Sequence, residues 1–208
     1  SLAAGMAAAV ALTAGALIAS TADASPLVTP GQPVPGFTGT NSNGDTVSLA
    51  DFSGRTVVLE WTNDGCPFVQ KHYATPPANM QTLQSYAGAD DVIWLSVISS
   101  APGKQGHVTG DEANSLTAVR DAMPSHVLLD ETGEIGHLYG AKTTPHMYVI
   151  SPDGTLAYEG AIDSTPSARV EDIAEATNYV RAALDSVAAG EAVAVPSSKP
   201  YGCSVKYE

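Results

Sequence analysis

Cysteine is scarce in this chain, with two residues in 208, Cys66 and Cys203, and no Cys-x-x-Cys pair anywhere. His107, His126 and His137 share no ligand spacing with Cys66, which argues against a structural zinc site and against a zinc enzyme. Basic residues are also few, nine against 22 acidic ones, for a net charge of −13. Such a surface repels phosphate backbones and anionic lipid, so nucleic acid and membrane surfaces are excluded as expected partners, and solubility accounts for the charge. Gly103-Lys104-Gln105-Gly106 lacks the spacing and strand-helix setting of a phosphate loop, and no internal repeat is visible.

Charge is absent from Leu2 to Ala19, a run of mostly Ala, Val, Leu, Ile and Gly that leads to Ala22-Asp23-Ala24. An apolar stretch ending in small-x-small predicts a signal peptide over residues 1–24, cut after Ala24, and export to a periplasmic or secreted location. The alternative is an anchor, since the run approaches spanning length. Membrane contact is then expected only through an uncleaved leader. Residues 25–189 are expected to form one domain of ordinary size, and residues 190–208 a tail carrying Cys203.

Prolines 26, 30, 33 and 35 predict an extended leading segment. Asn41 to Asp45 is a turn cluster, and strands are predicted at Thr46–Leu49 and at Thr56–Trp61, the second apolar enough to be central. Helical pieces follow at Pro67–Ala74 and Ala78–Tyr86, separated by Pro76-Pro77. A strand at Val92–Ile98, a helix at Asp111–Ala122, a strand at His126–Leu129 and a short helix reaching Tyr139 come next. Met147–Ile150 and Leu156–Glu159 read as a hairpin around Pro152-Asp153-Gly154, and Ala168–Ala189 as one closing helix. This order predicts an α/β domain whose sheet is mostly parallel and covered on both faces, with an antiparallel hairpin at one side.

Four pieces of sequence resemble the thioredoxin superfamily, and within it the redoxin and peroxiredoxin-like group related to alkyl hydroperoxide reductase and thiol-specific antioxidant proteins. They are Gly31-Gln32-Pro33-Val34-Pro35-Gly36-Phe37 with Val47 to Gly54; Val57 to Trp61 with Gly65-Cys66-Pro67-Phe68-Val69; Thr143 to Ile150; and the hairpin from Asp153-Gly154. The resemblance implies a thioredoxin-like fold: a central mixed sheet flanked by helices, an N-terminal redoxin extension and an irregular C-terminal tail. It also implies a thiol-dependent oxidoreductase or antioxidant protein acting on a small thiol, a peroxide or a protein disulfide, with an external reductant and no cofactor.

Two departures qualify that implication. Thioredoxin-like dithiol enzymes place a second cysteine three positions after the first, where this chain has Val69. Peroxiredoxins place Thr three positions and Pro seven positions before the cysteine, where this chain has Asn63 and Leu59; Thr62 is one position out of register. The architecture thus looks like thioredoxin with one cysteine removed.

The expected catalytic residues are Cys66, Cys203, Thr144 and Pro145. A cysteine at a helix start is stabilised as thiolate by free N–H groups, and Pro67 suits the first helical position. Lys71 and His72 follow on the helix and could add positive potential, although Lys71 is read first as a solvated residue. By resemblance, a cis Thr144-Pro145 bond would set the Thr144 backbone beside Cys66, ready to pair with an incoming extended peptide. His146 would then lie near the sulfur as a tuning or metal-binding group, or serve as a structural histidine. Trp61 ends the strand that leads into the site and is most simply core. The tail is long enough to bring Cys203 to Cys66, about 45 Å at roughly 3.3 Å per residue, so Cys203 could resolve an intermediate. A fixed structural disulfide, a bond to another chain and a free thiol remain open for it. Two other readings stand beside the enzyme: a soft-metal site in which Cys66 with His72 or His146 holds copper, and a silent adaptor whose disulfide pins the tail.

Overall fold

The computed structural model of the chain describes residues 28–208, so the expected leader lies outside the described residues. No helix among the described residues is long and apolar enough to cross a membrane.

The centre of the sheet is made by β3 (Val57–Trp61) and β4 (Ile93–Ile98), in which every residue is buried, as strands covered on both faces must be. They pair in parallel, and β5 (His126–Leu129) continues the parallel set beyond β4. On the other side β7 (His146–Ile150) runs antiparallel to β3, and β8 (Leu156–Gly160) antiparallel to β7. A hairpin of β1 (Thr38–Asn41) and β2 (Thr46–Ser48) attaches through β1 to β5. The order is β2-β1-β5-β4-β3-β7-β8.

The expectation of a mostly parallel sheet is corrected here, because parallel pairing is confined to β3, β4 and β5. Only the β3–β4 and β4–β5 links carry crossover helices, whereas β1–β2 and β7–β8 turn back tightly and must run antiparallel. The sheet is therefore mixed, as the family resemblance implies. β1 had no periodic signal of its own; pairing with β2 and β5 imposes extended structure on Thr-Gly-Thr-Asn.

Between β3 and β4 lie α1 (Pro67–Tyr73) and α2 (Asn79–Ala89). α3 (Gly110–Val119) joins β4 to β5, opened by a Thr109–Glu112 capping box, and α4 (Glu134–Tyr139) follows β5. One face of the sheet packs Val58, Trp94, Met147, Val149 and Tyr158 against Cys66, Val69, Met80, Leu83 and, from the last helix, Val180 and Leu184. The other face packs Leu59, Trp61, Leu95, Leu128 and Tyr148 against Ile135 and Tyr139 of α4 and Val205 of the tail.

The single closing helix expected over Ala168–Ala189 is two pieces. Val170–Glu175 is a 3-10 turn, Ala176 is extended (φ −81°, ψ 140°), and α5 is confined to Tyr179–Ala189. Asn178 causes the break: its side chain accepts from the Arg181 N–H as an N-cap, and its backbone bridges to Asp163. The tail also differs from the irregular segment expected. It contains β9 (Cys203–Ser204), paired antiparallel with β6 (Thr143–Thr144) in a separate two-stranded sheet. It is fastened on both sides of that strand, by Ser198 N–H to Glu159 O at 3.1 Å and by Tyr207, whose hydroxyl donates to Ala141 O at 2.8 Å.

Candidate active site

β3 delivers the chain to a turn that side chains hold from several directions. The Asn63 carboxamide accepts from the Gly65 N–H at 2.9 Å and donates to the Gln105 carbonyl at 3.1 Å, while Gln105 Nε2 donates to Gly65 O at 2.8 Å. Gly65 leaves room for that contact, since a Cβ there would displace the Gln105 side chain. Arg120 from the end of α3 pairs with Asp64. The turn sets Cys66 at the N-cap of α1 with Pro67 at the first helical position, where the missing N–H leaves nothing unsatisfied.

Cys66 Sγ lies 2.7 Å from Cys203 Sγ, against about 2.03–2.05 Å in a formed disulfide. It also lies 3.1 Å from the Thr144 carbonyl oxygen, to which the thiol form donates. The Thr144-Pro145 bond is cis, and Thr144 is paired with Cys203 across the β6–β9 ladder. The structure thus brings Cys66, Cys203, Thr144 and Pro145 together. Cys66 is 0% exposed, with Cys203 of β9 set against its sulfur.

The two thiols are unlike. Burial pushes the Cys66 thiol up, yet the Cys203 thiol and the backbone N–H groups of Cys203 and Val69 hydrogen-bond the sulfur and hold it below its ordinary value. Burial and the neighbouring Cys66 sulfur push Cys203 up to about 11. Cys66 is therefore the group that ionises first, and Cys203 is the donor that stabilises it.

Behind the tail sits a buried charge cluster. Lys71 is not a solvated residue, as expected from sequence, but 1% exposed, with Nζ 3.6 Å from Asp163 Oδ2 and 3.3 Å from the Thr165 carbonyl. His72 Nε2 stands 3.8 Å from the same carboxylate, and its Nδ1 meets Asn79 at 2.8 Å. Burial, with Lys71 beside it and Asp163 opposing, lowers His72 to about 4, so it is neutral. The tail completes the cluster: the Tyr201 hydroxyl donates to Asp163 Oδ1 at 2.5 Å, and its ring packs edge-on to Phe68 at 5.9 Å. Lys71 and His72 thus act on the tail, two residues from Cys203, rather than directly on the Cys66 sulfur.

His146 and Trp61 are placed away from the sulfur. His146 Nδ1 accepts from the Lys142 N–H, and Nε2 faces Glu159 at 3.3 Å; burial holds the ring below its usual range despite that carboxylate. Trp61 donates to Ser99 Oγ at 3.0 Å and packs with Tyr139 and Tyr148 on the face of the sheet opposite Cys66.

Three polar residues of this region were not singled out from the sequence. Glu60 is a lone acid in a buried strand, a signal that was legible: it accepts from Tyr73 at 2.7 Å, Trp94 at 2.8 Å and Ser96 at 3.0 Å, and burial raises its carboxyl above the ordinary value. Asp163 lies in an irregular stretch with no pattern to mark it. Tyr201 stood beside Cys203, but only the fold shows that its hydroxyl reaches a buried acid.

The profile of the AhpC/TSA family matches residues 30–159. An uncharacterized conserved protein from Geobacillus kaustophilus superposes with a TM-score of 0.71 at 26% identity, covering 86% of this chain and 93% of its own. A hypothetical protein from Sinorhizobium meliloti gives 0.72 at 19% identity, over 87% of this chain and 96% of that one. The thioredoxin domain of a thiol-disulfide oxidoreductase from Bacteroides vulgatus gives 0.51 at 16% identity, over 71% and 97%. These likenesses show a thioredoxin-like fold. No curated protein matches the sequence.

Proposed function

Because this chain belongs to the AhpC/TSA family, we propose that it is a thiol-dependent oxidoreductase in which Cys66 is the attacking thiolate and Cys203 the resolving thiol. One observation carries the reading: the two sulfurs stand 2.7 Å apart, with Cys66 pushed toward thiolate and Cys203 held as thiol. The Cys66 thiolate attacks one sulfur of a substrate disulfide, forms a mixed disulfide, and expels the other sulfur as a thiolate that takes a proton. The Cys203 thiol, losing its proton, then attacks Cys66 Sγ and expels the second substrate thiol. The substrate has gained two electrons and the chain holds a Cys66–Cys203 bond, which an external dithiol must reduce before another turn. For the first attack β9 has to lift from Cys66; for the second it has to return.

A peroxide fits the same pair of cysteines. Cys66 would become a sulfenic acid with release of an alcohol or water, and Cys203 would condense with it, releasing water. Asn63 and Leu59, standing where the peroxidase pattern has Thr and Pro, favour the disulfide as substrate. Copper binding fits less well, since both ring nitrogens of His72 and of His146 already have partners inside the fold. The leader read over residues 1–24 supports work in an oxidising compartment, where such a bond persists.

The test is to reduce the full chain, treat it with one equivalent of a small disulfide or of hydrogen peroxide, block free thiols with an alkylating agent and map the cysteines by mass spectrometry. An intramolecular Cys66–Cys203 bond is expected, and in Cys203→Ser a mixed disulfide trapped on Cys66. Free Cys66 after both oxidants would end the proposal.

A further inference from the structure

The tail lies on Thr143–Thr144 as a bound peptide would, and each of its residues meets a feature that accepts that residue and little else. Cys203 faces Thr144 in the antiparallel ladder, with its sulfur on Cys66. Gly202 has φ +139°, and a Cβ there would run into the Thr144 carbonyl oxygen. Tyr201 fills a notch between Phe68 and Asp163, donating its hydroxyl to the carboxylate 2.5 Å away, with Lys71 Nζ 5.7 Å from the ring centre. The second Asp163 oxygen is buried without a hydrogen-bond partner, 3.6 Å from Lys71 Nζ. The ladder itself is two residues long, a pairing too short to be stable without help from its neighbours.

We propose that the slot formed by β6, the N-terminal end of α1 and the Lys71–Asp163 notch is a recognition site for extended peptide segments of the pattern tyrosine-glycine-cysteine, and that residues 201–203 are its built-in occupant. The inference rests on the reading of Cys66 as the attacking thiolate and adds to it a substrate class. Selectivity comes from the notch: a buried carboxylate facing a lysine takes a phenol hydroxyl as donor, and an aromatic ring without that hydroxyl leaves Asp163 Oδ1 with the Thr165 N–H at 2.9 Å as its one remaining donor. Incoming peptide and tail compete for one place, so the reaction starts only when β9 lifts and ends when it returns.

The experiment uses the full chain carrying Tyr201→Ala and Cys203→Ser, which empties the notch and the sulfur contact. Capped peptides tyrosine-glycine-cysteine-serine, each with 2-nitro-5-thiobenzoate on the cysteine, are compared with versions carrying phenylalanine or alanine for the tyrosine, and alanine for the glycine. Cys66 thiolate attacks the peptide sulfur and releases the coloured thiolate, so the rate is read directly. The tyrosine peptide should react about tenfold faster than the phenylalanine one, the difference expected of one hydrogen bond to a charged group, with alanine slower still. Replacing the glycine should abolish the preference, and Asp163→Asn should level tyrosine and phenylalanine. The peptide series alone decides the matter if that variant does not fold. Equal rates for all peptides, with Cys66 still reacting with 5,5′-dithiobis(2-nitrobenzoate), would overturn the recognition site and leave the redox reading standing. No reaction with the peptides or with that reagent would overturn both.

Discussion

Asp163 takes the Tyr201 hydroxyl on one oxygen at 2.5 Å and faces Lys71 Nζ with the other at 3.6 Å, so a residue of the tail completes an ion pair sealed inside the domain. Lifting the tail removes a charge-assisted hydrogen bond from that buried carboxylate, so the tail is held by more than its short ladder.

Gly202 is the weak point of that attachment. In Gly202→Ala the added methyl group meets the Thr144 carbonyl in a backbone conformation that side chains rarely adopt, at a cost of about 1–3 kcal/mol. The tail is expected to detach before the domain melts. Cys66 in the reduced variant should be alkylated about five- to 150-fold faster than in the parent, the factors that about 1–3 kcal/mol of opening free energy represents. Unchanged alkylation would show that Gly202 does not control access to the sulfur.

The pair should titrate in two widely separated steps. Thiolate absorbance near 240 nm in the reduced chain is expected to rise first below the ordinary cysteine range, as Cys66 ionises, and again near pH 11. In Cys203→Ala the upper step disappears and the lower one moves up, because the alanine side chain offers no proton to the sulfur. A lower step that stays in place would assign the Cys66 shift to backbone N–H groups alone.

His72 predicts a loss of stability on acidification. Its folded value, about 4, lies below the 6.5 of an unfolded histidine, so between those values the unfolded chain binds the extra proton. Stability contributed by neutral His72 is fully present above about pH 6.5 and disappears as pH falls through 4, amounting to roughly 3 kcal/mol over the window. Denaturant unfolding at pH 7 and at pH 4.5 should show a shallower loss in His72→Gln than in the parent. Parallel losses would mean that the carboxylates dominate the acid limb.

Asn178→Ala should cost about 1 kcal/mol, since it removes the side-chain acceptor for the Arg181 N–H at the start of α5. The change should appear in denaturant unfolding with no effect on formation of the Cys66–Cys203 bond. An altered bond would indicate that α5 positions the site through the Asp163–Asn178 bridge.

What could be read from the sequence followed the strength of local patterning. β3 and β4 are apolar runs interrupted once each, by Glu60 and by Ser96, and the spans predicted for both lie within one residue of their observed ends. Cys66 and Pro67 lie where strand gives way to helix, a junction that punctuation residues mark clearly. Elements created by pairing rather than by composition stayed hidden: β1, β6 and β9 are each four residues or fewer and exist because a neighbour supplies the hydrogen bonds. The expected closing helix exceeds α5 because Val170, Ile173 and Ala174 continue the helical spacing, whereas the capping preference of Asn178 starts the helix there. Lys71 was misread for a related reason: a lysine on a short helix is ordinarily solvated, and only the tertiary fold brings Asp163 to it from more than ninety positions away.

Val69, three positions beyond the reactive cysteine, is wholly enclosed by apolar neighbours. A dithiol motif would spend that position on chemistry; here it serves packing, and the second sulfur arrives on β9, 137 positions along the chain. Interior fit and the placement of the second sulfur are thereby assigned to separate stretches of chain. The helix can be selected for how well it fills the core without a thiol at its first turn's end, and the strap for where it sets its cysteine.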